Sequence, residues 1–146
     1  MHAVHAYLMY IKRKHLSNMK NKIALLLCLD SNKENKYEYE CLHAIYSWRN
    51  TKHLLSDIDI LVYINKVINI SASTLNKIKS YKNIKFRYYS FDYTYTCLNT
   101  LYCQYLFEIN ENDYDYGIYI DLDMYLTHSI PDNLLFSCKS IFCYYN

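Results

Sequence analysis

The feature that most limits what this chain can fold into is a regular alternation of short apolar runs with longer stretches of helical spacing. Residues 22–29 (KIALLLCL) form a continuous apolar run, the pattern of a strand buried on both faces. Residues 58–64 (IDILVYI) and 84–91 repeat that β-rich character, and residues 117–126 (GIYIDLDMYL) return to it. Between them, residues 39–49 place Leu42, Ile45, Tyr46 and Trp48 near helical spacing. Residues 71–81 read as a helix that Ser71 or Ser73 can cap. Residues 96–109 set Leu98, Leu101, Tyr105 and Ile109 on one helical face. The order β-α-β-α-β-α-β predicts an α/β domain with a mainly parallel sheet and covering helices.

This is a Rossmann-like arrangement over residues 20–146, preceded by an N-terminal extension, residues 1–19. Residues 140–145 read as one more strand. A chain of 146 residues with 52% apolar and 21% charged residues is sized for one packed domain and is too apolar for disorder. One Gly and one Pro are few for a mixed fold, so Asn is expected to supply many of the turn conformations. The 19 tyrosines and the abundance of Lys, Asn and Ile follow A/T-rich codon usage before they imply function.

Several classes are excluded. The apolar run 23–29 is far shorter than the roughly 20 residues of a membrane-spanning helix, so no transmembrane segment is expected. The opening residues mix His2, His5, Lys12, Arg13 and Lys14 with apolar residues and do not read as a secretory signal. Six cysteines, at 28, 41, 97, 103, 138 and 143, include no C-x-x-C pair and read as buried, reduced thiols of a cytoplasmic protein. The basic excess is spread out and carries no nucleic-acid motif, so nucleic acid is not an expected partner.

Charge is unevenly distributed. Residues 1–87 carry 15 Lys/Arg against 6 Asp/Glu, whereas residues 88–138 carry no Lys or Arg and 8 Asp/Glu. Within that acidic half, Tyr116-Gly117-Ile118-Tyr119-Ile120-Asp121-Leu122-Asp123-Met124-Tyr125-Leu126 concentrates the chemistry. Read as a strand, it puts Ile118, Ile120, Leu122, Met124 and Leu126 on one face and Tyr119, Asp121, Asp123 and Tyr125 on the other. Two carboxylates sharing a face repel, and no nearby Lys or Arg in sequence offsets them. A divalent cation would. Hard oxygen ligands suit Mg²⁺ or Mn²⁺, with waters and phosphate oxygens completing the shell.

The segment 115–135, DYGIYIDLDMYLTHSIPDNLL, resembles the D-x-D region of GT-A type glycosyltransferases, above all the glycogenin-like and lipopolysaccharide-sugar-transferase group. Residues 129–136 are similar to the turn that follows D-x-D in that group. The first strand, the loop with Asp30 and Tyr37, and the helix ending HAIYSWRN resemble its donor-base end. The resemblance implies that Asp121 and Asp123 hold Mn²⁺ or Mg²⁺, with the Leu122 backbone near the ribose of a nucleotide-sugar donor. It also implies that Leu29, Asp30 and an aromatic in the following loop, Tyr37 or its neighbour Tyr39, embrace the base. The donor it implies is a UDP-sugar, whose hexose passes to an unknown acceptor. It spans about residues 20–146, the N-terminal half of such a domain, so acceptor-binding elements and a third metal ligand, usually His, are expected from a complementing C-terminal half. His128 reads as a surface histidine. Cys97 stands where family members often carry a donor-contacting basic residue.

Two other readings compete. Asp121-Leu122-Asp123 fits the nucleophile and acid of a haloacid-dehalogenase-like phosphatase, although Met124-Tyr125 replaces its usual Gly-Thr and that motif normally opens its domain. A non-catalytic α/β remnant or interaction domain would keep the fold alone.

Overall fold

A computed structural model describes residues 9–12, 22–30, 36–51, 55–92 and 96–127. The strand expected at 140–145, His128 and the turn at 129–136 lie outside these residues. The elements are β1 (Met9–Lys12), β2 (Ile23–Leu29), α1 (Lys36–Asn50), β3 (Asp59–Asn65), α2 (Ala72–Lys79), β4 (Ile84–Tyr89), α3 (Thr96–Asn110) and β5 (Tyr116–Tyr119). The strands form one sheet in the order β1-β5-β2-β3-β4. β5, β2, β3 and β4 run parallel, and β1 joins β5 antiparallel, with Met9 opposite Tyr119. The expected Rossmann-like, mainly parallel sheet with flanking helices is therefore what the chain forms.

The parallel part begins in the middle. From β2 the chain moves outward through β3 to the edge strand β4, then returns to pair β5 on the other side of β2. α1 and α2 cover one face and α3 covers the other, so β2 and β3 are buried on both sides. Leu25, Leu27 and Leu29 meet Cys41, Ala44, Ile45 and Trp48 of α1 and Ile78 of α2. Ala24, Leu26 and Cys28 meet Cys103 and Phe107 of α3. This double burial is why these strands read as unbroken apolar runs. Gly117 lets α3 approach: a Cβ there would lie 2.9 Å from Leu26 Cδ1 and 3.0 Å from Phe107 Cε1.

A buried acid joins the two helices on the other face. Glu38 of α1, 2% exposed, accepts from the Ser71 backbone N–H and the Ser71 hydroxyl, each at 2.9 Å, and from the Thr74 hydroxyl. Ser71 is the N-cap of α2, its Oγ accepting from Thr74 N at 3.2 Å. Of the two capping candidates, Ser71 is thus the one used. A carboxylate placed here also complements the positive end of the α2 dipole.

Five expectations change. The last strand is shorter than residues 117–126, ending at Tyr119. The stripe Leu98, Leu101, Tyr105 and Ile109 of α3 points outward, 40–56% exposed, while Asn99, Cys103 and Phe107 face the sheet. Tyr46 of α1 likewise faces out, at 57% exposed. Among the described residues, positive φ outside glycine occurs at Asn83 (55°), so asparagines there do not carry turns generally. Residues 1–19 also contribute a strand, β1, to the sheet.

The inward face of α3 is polar toward the β4 edge because the sheet beneath it is polar. Asn99 Oδ1 accepts from Asn65 Nδ2 at 3.1 Å and from the Tyr89 hydroxyl at 2.9 Å. Arg87 makes a two-pronged ion pair with Glu111. Asp59 Oδ2 accepts from Lys85 at 2.8 Å and from the Tyr114 hydroxyl at 2.5 Å. Cys28, Cys41 and Cys103 are free, buried thiols, with Cys28 and Cys103 sulfurs 3.2 Å apart. The remaining three cysteines lie outside the described side chains. No helix among the described residues is long and apolar enough to cross a membrane.

Candidate ligand site at the carboxyl end of the sheet

β2 and β5 lie side by side, with Tyr119, the last residue of β5, opposite Leu26, three residues before the end of β2. β2 runs to Leu29, with Asp30 next, and α1 starts at Lys36. Beyond Tyr119 the Ile120 N–H still reaches Leu26 O at 3.4 Å. The backbone then turns, with Met124 N donating to Asp121 O at 3.1 Å. Asp121-Leu122-Asp123 therefore sits in a turn just past the strand and not on a strand face. The alternation of burial survives the turn, since Ile118, Ile120, Leu122 and Met124 all enter the core shared with α1.

After the turn the chain runs along α1. The Tyr125 ring meets His43 edge-on, 5.9 Å between centroids. Leu126 N donates to Ser47 Oγ and Thr51 Oγ1 donates to Leu126 O, both at 3.2 Å.

The two aspartates engage different layers. Asp121 is half-buried, and its Oδ1 accepts from the Tyr119 hydroxyl at 2.7 Å. That hydroxyl lies 3.0 Å from Thr100 Oγ1 of α3. Burial first, and the Asp121 charge second, push the Tyr119 phenol well above its ordinary pKa, so it stays a donor. Asp123 is exposed, and its field reaches the first turn of α1. The Lys36 ammonium is held protonated mainly by its hydrogen bond and ion pair with Glu40 (3.3 Å), and Asp123 adds to this. The Tyr125 phenol is pushed up by burial, then by Glu40 and Asp123. Lys36 is thus a cation that feels the charge of the acidic turn although the two lie 87 positions apart along the chain.

The other expected residues distribute unevenly. The side chains of Leu29 and Leu122 are in the core, which leaves their backbones to meet a ligand. Asp30 is 5% exposed and close enough to Cys28 to add to the upward push that the Cys103 hydrogen bond and burial exert on that thiol. Tyr37 is not in a loop. It occupies the first turn of α1, packs partly against the core, and carries the Lys36 ammonium 5.8 Å from its ring centroid. Tyr39 is 59% exposed.

No three His, Cys, Asp or Glu side chains converge as a metal-holding group among the described residues. The donors at the turn are two carboxylates, one already accepting a hydrogen bond. By donor chemistry these are hard oxygens, and two carboxylates are too few for a cation caged by protein alone. No family model, curated protein or solved structure matches this chain.

Proposed function

We propose that the carboxyl ends of β2 and β5 bind a nucleotide-sugar donor, in the manner of a GT-A type glycosyltransferase, with UDP-sugar as the donor class. One observation carries the reading: the acidic turn lies at the point where the strand order reverses, which is where open parallel sheets hold their ligands. Asp121 and Asp123 would hold Mn²⁺ or Mg²⁺ together with the diphosphate, and the cation would neutralise charge on the departing nucleoside diphosphate. Tyr119 fixes Asp121, Lys36 would offer a positive group, and Asp30 and Tyr37 would receive the base. Transfer to an acceptor requires residues beyond those described.

Calorimetry of the full chain with UDP, with and without Mn²⁺, tests this. The expected result is a binding heat that needs both ligands and is abolished by Asp123→Ala. Mn²⁺ alone is expected to bind weakly, because the protein supplies too few ligands. No heat at millimolar ligand overturns the proposal and leaves an α/β domain without this activity.

A further inference from the structure

A hollow lies on the opposite face of the sheet from α1 and α2, between the β4 edge and α3, with a volume of about 320 Å³. Arg87 and Tyr89 of β4, Tyr102 of α3, Glu111 just beyond it, and Lys66 at the exit of β3 line it, together with Tyr63 of β3. Tyr63 is 2% exposed, and its hydroxyl has no hydrogen-bond partner among the described residues. Three polar neighbours in the same layer are engaged: Tyr89 with Asn99, Tyr114 with Asp59, Arg87 with Glu111.

A buried hydroxyl left unpaired is destabilising, so this one is poised for a partner that the described residues do not supply. Burial first, and then the Glu111 charge, push the Tyr63 phenol up, which keeps it a donor. Arg87 and Glu111 answer each other's charge, and the Lys66 ammonium leaves the lining one positive charge in excess.

We infer that this cleft binds a small ligand through an oxyanion, a carboxylate or phosphate group, with the Tyr63 O–H donating to it and Lys66 supplying the opposite charge. With Arg87 and Glu111 cancelling, the single net positive charge of the lining matches a singly charged group best. The site is separate from the acidic turn, and its failure would leave the nucleotide-sugar reading untouched.

Amide chemical-shift titration of the isotope-labelled full chain with inorganic phosphate, and separately with acetate, at constant ionic strength tests the inference. Saturable shifts are expected at Tyr63, Lys66 and Ser90, weakened about tenfold or more by Tyr63→Phe and by Lys66→Met. Asp123→Ala is expected to leave them unchanged. Tyr63→Phe deletes only an unpartnered hydroxyl, so stability should hold or rise, and lost binding would not reflect unfolding. Saturation by phosphate alone assigns a phosphoryl ligand, and by acetate alone a carboxylate. Absence of saturable shifts with either anion up to about 10 mM, or unchanged affinity in Tyr63→Phe, overturns the inference.

Discussion

Tyr119 and Asp121 are tied to each other across the end of β5, the phenol donating to Oδ1 at 2.7 Å. The bond links the last strand residue to the first residue of the acidic turn, and Thr100 anchors the same hydroxyl to α3. Asp121 is therefore held in place before any ligand arrives. A hydrogen bond to a charged acceptor contributes about 1.5–3 kcal/mol. Tyr119→Phe should lower urea-unfolding stability by about that amount and weaken Mn²⁺-dependent UDP binding. In a double-mutant cycle with Asp121→Asn the two losses should not add; strict additivity would show that the bond does not couple them.

Gly117 sets how closely α3 can lie on β5. At an unstrained position Gly→Ala gains about 0.4–1 kcal/mol from the unfolded chain, but here the added methyl meets Leu26 Cδ1 at 2.9 Å and the Phe107 ring at 3.0 Å. Overpacking costs about 1–3 kcal/mol, so the clash wins. Gly117→Ala is expected to lower the denaturation midpoint, and Gly117→Val to lower it further. A midpoint at or above that of the parent would mean that the ring and the leucine move aside freely.

The orientation of α3 gives a paired test. Phe107 is fully buried and Leu101 is 56% exposed. Phe107→Ala should cost about 3–5 kcal/mol, whereas Leu101→Gln should stay within about 0.5 kcal/mol. Comparable losses in the two variants would place the apolar stripe of α3 against the sheet after all.

Acid should loosen the foot of the sheet. Burial pushes the Asp59 carboxyl up, but hydrogen bonds from Lys85 and Tyr114 outweigh it and hold the group below the usual carboxylate range. A depressed native value means the associated stability is complete above the unfolded value of about 3.9 and is lost as pH falls through the native one. Asp59→Asn should lower stability at neutral pH and flatten its decline at acid pH, read as unfolding midpoint against pH. An unaltered profile would assign the decline to other carboxylates.

The sequence was most legible where burial was symmetrical. β2 and β3 lie between two helical layers, so almost every side chain is apolar and the runs stand out. α3 misled because its partner surface is polar: Asn65, Tyr89 and Arg87 want Asn99 and Glu111 opposite them, and counting leucines selects the wrong side. The acidic pair was visible as a motif, but its turn was not, since Ile120, Leu122 and Met124 keep a strand-like alternation after the ladder has ended. Strand order left no local trace at all. Only with β5 beside β2 does Lys36 come within electrostatic range of Asp123, and Lys36 had no sequence signal that could have singled it out.

The return of β5 to the centre also sets a timetable for assembly. Lys22 N donates to Asp115 Oδ2 at 2.9 Å across 93 positions of chain, so this clasp cannot close until nearly all of the described residues have been made. The β2–β3–β4 half needs only shorter loops, and closing a longer one adds an entropic cost that grows with its length. Folding should therefore proceed from that half toward the β5 side, and the acidic turn should be among the last parts to acquire its final shape.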